Sequence, residues 1–156
     1  MSVPLSVQAK KIIDKILYIT LATTSKQGQP WNSPVYSAFD ENYNFYWISW
    51  KENQHSQNIR ENNRIFIVIY DSTVSEGQGQ GVYIQAKAYE LDDEKEIESA
   101  LKYLDGRIGK EGRHKVSQFQ GDMPRRVYEA VPEKSWVNID DRINGEFIDK
   151  RVEIKL

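Results

Sequence analysis

The stretch SWKENQHSQNIRENNRIFIVIY, residues 49–70, gathers the side chains whose types best suit chemistry. It carries His55, one of two histidines in the chain, with Lys51 before it and Arg60 and Arg64 after it. Asn53 suits a helix N-cap, which places Gln54, His55 and Ser56 in a first helical turn. The N–H groups of a first turn have no partner inside the helix and point out of its end, so they form an anion site. A cationic imidazole sits badly against the positive end of the helix dipole. A bound phosphate would offset that contact and use the imidazole's donors, with Lys51 adding a fixed charge. From these residues alone His55 is either a phosphate contact or an exposed polar residue.

Other patterns exclude more than they suggest. There is no cysteine, which removes disulfides, thiolate zinc sites and thiol nucleophiles. Two distant histidines without a ligand-spaced partner argue against a metal site. His55-Ser56 lacks the Gly-x-Ser-x-Gly elbow of a hydrolase. Gly77, Gly79 and Gly81 precede a strand rather than a helix, unlike a dinucleotide fingerprint, and read as a flexible loop. RIGKEGRHK lacks the Gly-Lys-Ser/Thr ending of a phosphate loop and reads as a solvated turn with His114 exposed. The paired Arg125 and Arg126 are too small a basic patch for nucleic acid. A net charge of −2 with mixed signs gives no bulk attraction to nucleic acid or anionic lipid. No apolar segment is long enough to span a membrane, and the first twenty residues lack the apolar core of a signal peptide. A cytoplasmic protein is expected.

The elements that must position these residues are legible in the periodicity. A chain of 156 residues fits one domain. Leu5, Ala9, Ile12, Ile13 and Ile16 recur at helical spacing and predict a helix from about residue 6 to 16. LYITLATT, WNSPVYSAF and NYNFYWISW read as strands, the last two joined by a hairpin around Asp40–Asn42. RIFIVIY reads as a strand buried on both faces. GVYIQAKAYEL alternates and reads as the longest strand, with Val82, Ile84, Ala86 and Ala88 on one face. DDEKEIESALKYL is a helix capped by Asp93, with Glu96 at the capping-box position. GRHKVSQF suggests a short helix, and RRVYEAVPEKSWVNI and EFIDKRVEI close the chain as strands. The expected class is α+β, a mostly antiparallel six- or seven-stranded barrel with peripheral helices.

The order of these pieces resembles the FMN-binding split-barrel family related to pyridoxamine 5′-phosphate oxidase. A strand and a Gly-containing turn lead to a strand with Ser33-Pro34-Val35. Another strand then enters a polar helix ending in Asn58-Ile59, and an apolar strand and a Gly-led long strand follow. The resemblance covers roughly residues 10 to 91, and the strands around Trp136–Asn138 and DKRVEI fit the family's C-terminal part. It implies that FMN is bound at a homodimer interface. Lys51, Asn53, Gln54 and His55 would surround the phosphate, since the family commonly places lysine or histidine four residues before the position of Ile59. Ser49 and Trp50 would line the ribityl chain and ring, and Ser33, Pro34, Val35 and Tyr36 would approach the isoalloxazine. Trp136 and Asn138 would come from the second subunit. KENQH replaces the arginine-rich phosphate pattern of the oxidases, and their C-terminal Arg-Leu-x-Pro-type segment is not visible. The resemblance therefore does not extend to their substrate. It implies a flavin-dependent oxidoreductase acting on some other small molecule, with no side chain marked as acid or base. The alternatives are a deazaflavin-dependent reductase and a non-catalytic flavin or haem module of the same fold.

Overall fold

The computed structural model describes residues 3–156. Three helices and eight strands follow in the order α1 (Leu5–Lys15), β1 (Tyr18–Thr24), β2 (Pro30–Tyr36), β3 (Ala38–Phe39), β4 (Phe45–Trp50), α2 (Gln54–Glu61), β5 (Arg64–Tyr70), β6 (Gly81–Glu90), α3 (Glu94–Arg107), β7 (Arg125–Ile143) and β8 (Glu146–Ile154). A short 3-10 helix, Val116–Phe119, lies between α3 and β7. Every strand pair is antiparallel. The strand order is β2-β1-β5-β6-β7-β4-β3, with β8 on the far half of β7.

The two ends of that order, β2 and β3, are successive pieces of one segment separated only by Ser37. The sheet thus curls until its ends meet without hydrogen-bonding to each other, which makes an α+β split barrel. WNSPVYSAF changes sheet edge at Ser37, so its two halves count as separate strands and the total is eight. The hairpin at Asp40 accordingly joins β3 to β4, with Phe39 opposite Phe45. Asp40 fixes it by accepting from the backbone N–H groups of Asn42 and Asn44, both at 2.9 Å.

The barrel interior is apolar. Leu21, Ile67, Val82, Ile84, Ala86, Ala88, Phe45 and Trp47 are buried, and Trp47 stacks on Tyr128 with centroids 5.5 Å apart. The predicted inner face of β6 is the observed one. Ala9 and Ile13 of α1 and Ile59 of α2 join the same cluster, so both helices close on the barrel interior. A second cluster packs Ile97, Ala100, Leu101 and Leu104 of α3 against the outer side of β3, β4 and β7. Asp93 caps α3 as expected, its Oδ1 accepting from the N–H groups of Lys95 and Glu96.

Two strand expectations change. RIFIVIY is buried on one face only: Ile65, Ile67 and Ile69 point inward, while Phe66 and Tyr70 are exposed. The run is continuous in hydropathy because its outward residues after Arg64 are Phe66, Val68 and Tyr70, apolar or aromatic like the inward ones. The longest strand is β7, not β6. It pairs with β4 from Arg125 to Ala130, with β6 from Tyr128 to Val137 and with β8 from Ser135 to Ile143, and a register shift opposite Gln85/Ala86 leaves Glu133 bulged beside Pro132. Proline has no N–H for a ladder and belongs at such a bulge. Asn144 and Gly145, both at positive φ, form the tight turn into β8.

Candidate functional site

The chemistry-bearing residues meet at the seam where the sheet fails to close. Ser33 stands on β2 and Ser49 on β4, strands that do not pair with each other. His55, in the first turn of α2, spans the gap. Its Nδ1 lies 3.2 Å from Ser33 Oγ and its Nε2 lies 2.9 Å from Ser49 Oγ. Trp31 Nε1 donates to the same Ser33 oxygen at 2.9 Å. The imidazole is only 5 % exposed, so neither its side chain nor its charge is free at the surface. Burial lowers its pKa below the ordinary 6.5, because a charged ring loses hydration that no anion replaces. A neutral ring satisfies both serines, donating through one nitrogen and accepting through the other. The reading of His55 as an exposed polar residue is therefore corrected.

The same helix is fastened at two more points. Asn58 Nδ2 donates to Thr23 Oγ1 of β1 at 2.9 Å, both residues buried. Ser56 Oγ donates to the carbonyl of Trp50 at 3.0 Å. Gln54 Nε2 bonds Asn58 Oδ1 along the helix. Sequence reasoning did not find Trp31 or Thr23, and it marked Asn58 only as part of the Asn58-Ile59 helix end, without its partner. Their pairings cross between strands and a helix, and no local spacing signals them.

The N-terminus of α2 is open. Asn53 occupies the N-cap position, but its side chain makes no capping bond, so the first-turn N–H groups keep their donors for something else. Lys51, two residues before the cap, is half-buried and, among the described residues, has no side-chain hydrogen bond or ion pair. Arg60 is committed elsewhere: it reaches Glu90 at 3.0 Å and Glu52 at 3.9 Å from the other end of the helix. Two indoles flank the seam in solvent, Trp31 at 49 % and Trp50 at 52 % exposure. Pro34 is exposed, Val35 is buried, and Tyr36 is half-buried with its hydroxyl unpartnered.

Trp136 and Asn138 are held away from these groups within the chain. Trp136 stacks on Phe66 at 6.2 Å. Asn138 grips the glycine loop: its Oδ1 accepts from Gly81 N at 2.6 Å and its Nδ2 donates to the Gly79 carbonyl at 3.0 Å. His114 is part-buried rather than exposed, because Asp105 holds it. No group of three or more His, Cys, Asp or Glu side chains suited to a metal occurs among the described residues. No helix among them is long and apolar enough to cross a membrane.

The fold has solved counterparts. A candidate 5-nitroimidazole antibiotic resistance protein from Bacteroides thetaiotaomicron superposes with a TM-score of 0.70 at 14 % identity, covering 88 % of this chain and 85 % of that one. HutZ, the haem storage protein of Vibrio cholerae, gives 0.69 at 18 % identity over 84 % of this chain and 92 % of its own. A FAD-binding protein from Mesorhizobium loti gives 0.63 at 18 % identity over 86 % and 94 %. At these identities the likeness concerns the fold alone. No curated protein sequence matches the chain. The family model described as pyridoxamine 5′-phosphate oxidase matches residues 5–138, most of the length, and the chain belongs to that family.

Proposed function

We propose that the chain binds FMN as a homodimer and works as a flavin-dependent oxidoreductase on a small molecule. The observation that carries this reading is the open first turn of α2 with the unpaired Lys51 beside it. Uncapped N–H groups and one free ammonium suit a phosphate. The proposed phosphate set is Lys51, Asn53, Gln54 and His55, the last through its backbone N–H. The exposed Trp50 and the Ser33–Tyr36 segment supply apolar and hydroxyl contacts for a ring and a polyol chain. The His55 side chain contributes rigidity. By bracing Ser33 against Ser49 it fixes the separation of two strands that no backbone ladder joins, and so holds the ring contacts relative to the phosphate contacts. Bound FMN would supply the hydride or electron chemistry.

The dimer is supported by apolar surface that the single chain leaves exposed. Phe66 and Tyr70 on β5 stand exposed, and Trp136 on β7, half-buried, stacks on Phe66. Ile143 and Phe147 stand exposed near the tip of the β7–β8 hairpin. Apolar surface of this kind marks an interaction face, and a second copy would bring its own Trp136 and Asn138 towards the flavin.

A haem-binding reading has a specific point against His55 as an iron ligand, since both its ring nitrogens are engaged. The test is the absorbance spectrum of the purified protein, before and after adding FMN, with the mass by light scattering. Flavin bands and a mass of two chains are expected. A Soret band, failure to take up FMN, or a mass of one chain at micromolar concentration would contradict the reading.

A further inference from the structure

We propose that Ser33 and Trp31 form a subsite for a flat ring with a hydrogen-bond acceptor at its edge, because the bonds across the seam leave the Ser33 hydroxyl able only to donate. Trp31 Nε1, Ser33 Oγ, the His55 ring and Ser49 Oγ form one chain, with contacts of 2.9, 3.2 and 2.9 Å in that order. Among the described residues these are the only side-chain bonds of the two serines. A neutral imidazole carries its proton on Nδ1 or on Nε2, so the chain has two possible directions. The buried end decides between them. Ser49 is 8 % exposed, and His55 Nε2 is the acceptor the structure offers its proton. With the ring proton on Nε2, Ser49 would accept, and its own O–H would be left buried without a partner, which is costly. Ser49 therefore donates to Nε2, and Nδ1 carries the ring proton.

The other end of the chain then has a fixed polarity. An indole N–H can only donate, and Nδ1–H points at the same oxygen, so both lone pairs of Ser33 Oγ are used. What remains is one O–H, on a residue that is half-buried and reachable by a ligand. Trp31 supplies a plate beside it. The two residues alternate along β2, opposite Thr23 and Leu21, and so share a face. The bond from Nε1 fixes the indole and uses its one polar group, which leaves the 49 % exposed ring an apolar π-surface. No other ring stacks on it among the described residues. A plate beside a lone donor selects a planar ring whose edge carries a carbonyl oxygen or an aza nitrogen, and disfavours one whose edge carries N–H. An isoalloxazine is one such ring, so the inference deepens the proposed flavin site, yet it rests on the bonds of the seam alone.

The test is protein-observed NMR on the full chain at neutral pH, without added flavin. Nitrogen spectra of the His55 ring should show the proton on Nδ1. Titration with quinoline, whose ring nitrogen accepts, should move the Trp31 Nε1–H resonance and saturate. Indole, a bicycle of similar size that donates instead, should bind about threefold to tenfold more weakly. Ser33→Ala should remove that margin and leave indole affinity within about twofold. Trp31→Leu, at an exposed position, should weaken both probes about tenfold. A proton on Nε2, no saturable quinoline shift, equal affinities in the wild type, or a margin kept in Ser33→Ala would overturn the proposal. FMN uptake is measured separately by absorbance, so its failure would count against the flavin reading and not against this one.

Discussion

His55 and His114 reverse the roles their surroundings in sequence suggest. His55 sits in a polar helix start that reads as a binding site, yet both its nitrogens are engaged by serine hydroxyls and the ring is buried. His114 sits in a glycine-flanked turn that reads as surface, yet a buried carboxylate aims it and one nitrogen stays free. The first is a brace across the barrel seam, and the second is itself held by a carboxylate nine residues away. A histidine's task is set by what its second nitrogen meets, and that partner is often distant in sequence: Ser33 lies 22 residues from His55.

The largest expected effect separates the two environments by stability. Asp105→Ala leaves a part-buried imidazole and a backbone N–H without their acceptor and should cost about 3 kcal/mol in urea denaturation. His55→Ala removes two neutral hydrogen bonds and leaves a small cavity, and should cost about 2 kcal/mol. If His55→Ala proved neutral, the ring would not be bracing the seam. A double-mutant cycle with Ser49→Ala sharpens this, since coupling is expected between the pair.

Acid should act on the brace in a definite direction. The folded pKa of His55 is lowered, so between that value and the ordinary 6.5 the unfolded chain binds the extra proton. Stability is then fully present above about 6.5 and declines as pH falls below it. His55→Gln should flatten this decline in thermal melts at pH 5 to 7. An unchanged slope in the variant would show that the ring is not the group responsible.

Much of the architecture was legible because it rests on periodicity. The inward residues of β6 and the Asp93 cap of α3 follow from spacing and side-chain type alone. What escaped depends on the third dimension. The exposed face of β5 was hidden because Phe66, Val68 and Tyr70 interrupt the inward isoleucines with no charged residue. The break at Ser37 was hidden because both halves of WNSPVYSAF are extended and differ only in their partners. At the site, the open helix start was readable at Asn53, but the missing side-chain cap and the Ser33–His55–Ser49 bridge were not.

A smaller effect concerns the glycine loop, read as mobile from its composition. Asn138 divides it: Gly81 N–H is held by a side-chain oxygen, whereas residues 72–79 are exposed. Hydrogen exchange should be fast from about residue 74 to 79 and slow at Gly81, and Asn138→Ala should release Gly81. Strong protection across the whole loop would contradict this.

The central claim is that the start of α2 holds a phosphate, and Lys51 tests it most directly. Fluorescence titration of FMN and riboflavin against wild type and Lys51→Ala separates phosphate recognition from ring binding. One charge-assisted contact is worth about 1.5–3 kcal/mol, so FMN affinity should fall roughly tenfold to a hundredfold, while riboflavin affinity stays nearly unchanged. Equal losses for the two flavins, or no loss for FMN, would contradict the claim.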